Sequence, residues 1–122
     1  MLALVMMVSV GTLERAEADE LMESFALRVT IETKDGGYQW RFDSPDLYEF
    51  QDGDRVLRSE DAKEHVENMS KQLHVNEKVT ADQLAERIKQ HFPKLRKMDV
   101  RWKNGEGELY TWRWKSEQVL VD

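Results

Sequence analysis

Between Met98 and Trp114 the chain carries two runs of alternating large apolar and polar residues, Met98-Asp-Val-Arg-Trp102 and Leu109-Tyr-Thr-Trp-Arg-Trp114, around an Asn104-Gly105-Glu106-Gly107 turn. Three of the four tryptophans lie in these runs. A period of two is the signature of a strand with one face on a core, so this stretch reads as a β-hairpin and commits the chain to a sheet. Its register is open. Asn-Gly invites a two-residue type I′ turn, which pairs Val100 with Leu109 and leaves Tyr110, Trp112 and Trp114 on the face opposite Met98, Val100 and Trp102. A three-residue loop pairs Val100 with Tyr110 and Met98 with Trp112, and all the large residues then share a face. Because register follows the face that must be buried, the bulged or longer loop is preferred.

A second hairpin opens the regular part of the chain. Phe25, Leu27, Val29 and Ile31 alternate with Ala26, Arg28, Thr30 and Glu32, Asp35-Gly36-Gly37 supplies the turn, and Tyr38, Trp40 and Phe42 alternate with Gln39, Arg41 and Asp43. Asp43-Ser44-Pro45-Asp46 breaks the strand. Leu47 to Phe50 and Val56-Leu57 flank Gln51-Asp52-Gly53-Asp54 as a smaller hairpin or an extension of the first.

Two amphipathic helices follow. Ser59 is placed to cap the first, with Glu60 and Asp61 in its first turn and Ala62, Val66, Met69 and Leu73 as one apolar stripe. Thr80 and Gln83 form a capping box for the second, Val79 and Leu84 a hydrophobic staple, and Leu84, Ile88 and Phe92 a buried ridge that Pro93 ends. Each helix has one face to bury, which argues for helices laid across a sheet. The expected architecture is α+β: a two-layer sandwich ordered hairpin-helix-helix-hairpin, with a mostly antiparallel sheet of four or more strands and both helices on one face.

The 122 residues suit one domain. Residues 19–122 are expected to form it. Leu2-Ala-Leu-Val-Met-Met-Val-Ser-Val10, with the small-x-small Ala16-Glu-Ala18 after it, reads as a signal-peptide remnant over residues 1–18, or else as an N-terminal strand. The first option implies a secreted or cell-envelope protein, the second a cytoplasmic one. The apolar run is too short for a transmembrane span. Eighteen Lys and Arg against 24 Asp and Glu give a net charge of -6, with no face obviously reserved for basic residues, so nucleic acid is not an expected partner. The short basic run around Lys94, Arg96 and Lys97 reads as a solvated helix end.

Chemistry is sparse. Without cysteine there are no disulfides or thiolate ligands. His65, His74 and His91 do not stand at the i, i+4 spacing of a helical metal pair, and Asp52, Asp54 and Glu60 do not match a calcium loop. Glu60, Asp61, Glu64 and Glu67 line the polar side of a helix, where solvation accounts for them. No serine sits in a nucleophile elbow and no glycine-rich loop is present to cradle phosphate. No catalytic, metal-binding or cofactor-binding residue is therefore assigned, and no cofactor is expected.

The aromatic residues are the remaining candidates. Trp40, Trp102, Trp112, Trp114, Tyr38, Tyr110 and Phe42 suit the core of a small sheet; any that are exposed form a platform for a peptide, another protein or a sugar ring. Arg101 and Arg113 beside them offer cation-π or carboxylate contacts, or serve as spacers on the wet face. Arg101, Trp102, Tyr110, Trp112, Arg113 and Trp114 make up the possible binding surface, on the outer side of the terminal hairpins.

The element order, the Lys34-Asp35-Gly36-Gly37-Tyr38-Gln39-Trp40 hairpin, the capped Thr80-Ala-Asp-Gln-Leu-Ala-Glu-Arg-Ile88 helix and the Met98-Asp-Val-Arg-Trp-Lys-Asn-Gly105 … Tyr110 strand pair resemble the YusW-like proteins, small secreted or lipoprotein-anchored domains of Gram-positive bacilli. The resemblance covers roughly residues 25–115. It implies an extracytoplasmic α+β domain and brings no catalytic residue with it; the chain lacks a lipobox cysteine. The leading expectation is a non-enzymatic extracytoplasmic interaction domain for a protein or cell-envelope component. The alternatives are a carbohydrate-binding module with exposed tryptophans and a small hydrolase with an unrecognised site. Thr111 and Arg113 leave a hairpin edge little protected, which allows a homodimer.

Overall fold

Alternating segments become strands when each can pair with a neighbour and bury one face, and six segments among the described residues do so. The computed structural model describes residues 24–116; the readings made for residues 1–18 lie outside them. The strands are β1 (Ala26–Thr33), β2 (Gly36–Asp43), β3 (Leu47–Asp52), β4 (Arg55–Arg58), β5 (Leu95–Lys103) and β6 (Leu109–Lys115). Between β4 and β5 come α1 (Glu60–Leu73) and α2 (Ala81–Lys89). The strands form one sheet in the order β4-β3-β2-β1-β5-β6, every neighbouring pair antiparallel.

Both helices lie on one face of that sheet, α1 over β2, β3 and β4, α2 over β5 and β6. Between the layers, Leu27, Val29, Ile31, Phe42 and Val100 of the central strands meet Val66, Leu73, Leu84 and Ile88 of the helices, all essentially inaccessible to water. The helices are tied at one end: Gln72 Nε2 donates to the Arg87 carbonyl at 2.6 Å, and an Arg87 guanidinium nitrogen donates to the Leu73 carbonyl at 2.6 Å. The α+β sandwich expected from periodicity is the observed one, with six strands. Its small middle hairpin is β3–β4, turning through Gly53 and Asp54.

Local chemistry follows the expected signals at α2 and departs from them at α1. Thr80 Oγ1 accepts from the Gln83 amide at 3.2 Å while Gln83 Oε1 accepts from the Thr80 amide at 2.9 Å, the reciprocal bonds of a capping box. The helix ends at Lys89, and Phe92 lies beyond it, packing its ring against Tyr38 and Trp40. Ser59, in contrast, makes no side-chain cap. Its amide is already bonded to the Tyr48 carbonyl at the end of the β3–β4 ladder, which holds the residue at φ 56° and ψ -130°. Only its backbone carbonyl serves the helix, accepting from the Ala62 and Lys63 amides. The turn of the first hairpin is Lys34-Asp35, because Thr33 pairs with Gly36 and both glycines belong to β2.

The outward face of the sheet has no layer over it among the described residues. Its strand positions hold Arg28, Arg41, Arg58, Lys97, Arg101, Lys103, Arg113 and Lys115 against Glu32, Asp43, Glu49 and Asp99. A chain of net charge -6 thus presents a cationic surplus on one face.

The Ser59 backbone occupies a region that glycine adopts without strain and serine does not. Ser59→Gly should therefore raise the unfolding free energy by about 1 kcal/mol, seen as an upward shift of the denaturant midpoint at unchanged slope. A lower midpoint would mean that the hydroxyl has a structural role.

Candidate functional site

The β5–β6 connection is organised by one side chain. Asn104 is buried; its Oδ1 accepts from the Glu106 amide at 3.0 Å and the Glu108 amide at 2.9 Å, and its Nδ2 donates to Glu108 Oε1 at 2.9 Å. Its own amide donates to the Glu108 carbonyl, and Gly107, at φ 85°, returns its amide to the Asn104 carbonyl. The result is a five-residue loop, Asn104 to Glu108, that pairs Lys103 with Leu109, Trp102 with Tyr110, Val100 with Trp112 and Met98 with Trp114. The expectation that a longer loop puts the large residues on one face holds. The three-residue pairing of Val100 with Tyr110 does not, because the asparagine side chain satisfies two further amides and lengthens the loop by one strand repeat.

That register creates an aromatic ladder on the helix-bearing face. Tyr110 and Trp112 rings lie 6.0 Å apart and 14° from parallel, Trp102 and Trp112 6.5 Å and 25°, Trp102 and Tyr110 5.4 Å and 33°. The two indole N–H groups are already used. Trp102 Nε1 donates to Ser24 Oγ and Trp112 Nε1 to the Val79 carbonyl, each at 2.8 Å, so both rings are held in place by their edges. Trp114 lies under Lys89, whose ammonium is 4.4 Å from the ring centroid. All four ladder residues are half-buried, and the three indoles pack on the core.

Trp102, alone of the ladder residues, lines a cleft of about 360 Å³ that runs to the α1–α2 connection. Ser70, Asn76 and Glu77 line one wall, Asn104 and Glu106 the other. Tyr110 sits near the same carboxylates. Its hydroxyl is raised above the ordinary 10.0, first by desolvation and then by Glu108, Glu77 and Glu106, so it remains a neutral donor and acceptor throughout the physiological range. The site thus combines rigid aromatic surface with neutral and anionic hydrogen-bonding groups.

The six residues selected from sequence divide between two faces. Trp102, Tyr110, Trp112 and Trp114 stand together on the helix side. Arg101 and Arg113 point away from them, onto the outward face, where both Nε atoms donate to Asp99 at 3.2 Å. Ser24, Ser70, Asn76 and Glu77 carry no distinguishing pattern in the sequence; they come from separate segments that only the fold brings together. Of the histidines, His65 stacks on Phe50 at 4.3 Å, His74 ends α1 in a left-handed conformation and His91 is exposed. Among the described residues no three His, Cys, Asp or Glu side chains stand close enough to hold a metal ion, and no helix is long and apolar enough to cross a membrane.

In comparisons with known proteins, no family model, no curated protein and no solved structure matches this chain.

Asn104→Ala removes three side-chain hydrogen bonds and strands two loop amides. The expected cost is about 2 kcal/mol of stability, together with an altered near-ultraviolet signal from the tryptophans as the register relaxes. An unchanged spectrum at full stability would show that the loop does not set the register.

Proposed function

We propose that this domain is a carbohydrate-binding module, non-catalytic, taking a neutral or basic sugar ring in the cleft beside Trp102. The observation that carries this reading is the half-exposed, near-parallel ladder of Trp102, Tyr110 and Trp112, with both indole N–H groups committed to protein partners. Rings fixed in this way offer apolar surface at little cost in conformational entropy, and the C–H face of a pyranose is complementary to it. The sugar's hydroxyls then meet Asn76, Glu77 and Glu106 of the cleft, and a ring reaching beyond its lining meets Tyr110, whose hydroxyl stands near Glu77 and Glu106. Those carboxylates oppose an anionic sugar, which narrows the class. An extracytoplasmic location, as the YusW-like resemblance implies, agrees with a ligand of this kind and is part of the proposal.

Titration with oligosaccharides of glucose and of N-acetylglucosamine, followed by tryptophan fluorescence and calorimetry, tests it. One of the series should give a saturable change, and Tyr110→Ala should weaken that binding by about three- to tenfold while leaving the fold intact. Absence of a response to either series, or a Tyr110→Ala variant that binds as tightly as the parent, would contradict the proposal.

A further inference from the structure

We infer that the outward face of the sheet is a second, separate binding surface, for an extended acidic protein segment that also carries apolar side chains, centred on Arg28, Arg101 and Lys103.

The pleat places three arginines in one cross-strand row: Arg41 on β2 opposite Arg28 on β1, and Arg28 opposite Arg101 on β5. Neighbouring strands lie about 4.8 Å apart, and like charges directly opposite one another destabilise a sheet. The flanking members of the row are relieved by carboxylates. Arg41 is held by Asp43 at 2.7 Å, and Arg101 shares Asp99 with Arg113. Arg28, in the middle of the row and exposed, makes no ion pair or side-chain hydrogen bond among the described residues, and neither does Lys103 one pair further along β5. The unrelieved repulsion is therefore concentrated where a carboxylate from another molecule would be bound by up to three cations. A guanidinium engaged through Nε still offers its terminal nitrogens to such a group.

The same face carries apolar surface. Of the four exposed large hydrophobic residues among the described residues, Leu47, Val56 and Leu109 all point outward from it, Leu109 at 65% exposure. A depression of about 410 Å³ brings the cations to Leu109: Arg28, Arg101 and Lys103 line it together with Ala26, Leu109 and Asp43, whose carboxylate is engaged by Arg41. A free phosphate would use the cations and leave Leu109 in water. A nucleic-acid backbone would meet Asp43, Asp99, Glu32 and Glu49 interleaved among the cations, so its repeating charge is poorly matched. A peptide with carboxylates and aliphatic side chains satisfies both parts, and the face opposite the sugar cleft leaves the two ligands independent.

The probe is a fluorescein-labelled peptide alternating Glu and Leu, measured by anisotropy against the full chain at low and at physiological salt. Saturable binding that weakens with salt is expected, with Arg28→Glu reducing affinity at least about tenfold and Tyr110→Ala leaving it unchanged. Lys103→Glu, at a strand end where folding is least at risk, should weaken it in the same direction. Equal binding of a Lys-Leu peptide, tighter binding of a labelled duplex DNA, or unaltered affinity in both charge-reversal variants would each overturn the inference. Loss of sugar binding in Tyr110→Ala with peptide binding retained separates failure of this inference from failure of the carbohydrate reading.

Discussion

The antiparallel pairing of β1 with β5 is the contact on which the remaining structure depends. It joins the four-strand meander of the N-terminal half to the closing hairpin, setting Val29 against Val100 and Leu27 against Trp102 across a long separation in sequence. Because side chains alternate strictly along a strand, this one register decides which face of β5 joins the core. Asn104 then carries the choice to β6. Without the pairing, the helices would have half a sheet to cover and the tryptophans no common face.

Two surfaces of opposite chemistry follow. On the helix-bearing side α2 covers β5 and β6 only in part, and large rings of those strands complete the layer beside it. The three indoles pack on the core while part of each stays in water, so the residues that contribute to stability also form the platform of the proposed sugar site. On the other side nothing covers the sheet among the described residues, and the alternation that buries Leu27, Val29, Met98 and Val100 delivers Arg28, Asp99 and Arg101 to the solvent. The net charge of -6 belongs to residues 1–23 and 117–122; among the described residues the cationic surplus of this face is balanced by acidic side chains of the helices and loops.

Much of the architecture was legible in the chain because its signals are local. The period-two runs, the Thr80–Gln83 capping box and the apolar stripes of both helices each depend on residues within a few positions of one another, and each is observed. What was not legible depends on distant partners. Ser59 has the side chain of a helix cap, yet the Tyr48 carbonyl takes its amide and turns the backbone away from capping geometry. Asn104-Gly105 has the composition of a tight turn, yet burial of the asparagine lets it gather two further amides. The ladder residues were found as aromatics, whereas Ser70, Asn76 and Glu77 carry no pattern that marks them before the cleft is assembled. The arginine row was available in principle: Arg28, Arg41 and Arg101 all occupy the polar phase of strands whose apolar phase was recognised, and only the strand order was needed to align them.

Cross-strand nuclear Overhauser contacts within the closing hairpin test the central claim most directly. Contacts linking Val100 with Trp112 and Trp102 with Tyr110 are predicted, placing all the rings opposite the arginines. Contacts linking Val100 with Leu109 would set Tyr110, Trp112 and Trp114 on the arginine face and contradict both sites; contacts linking Val100 with Tyr110 would refute the Asn104 loop.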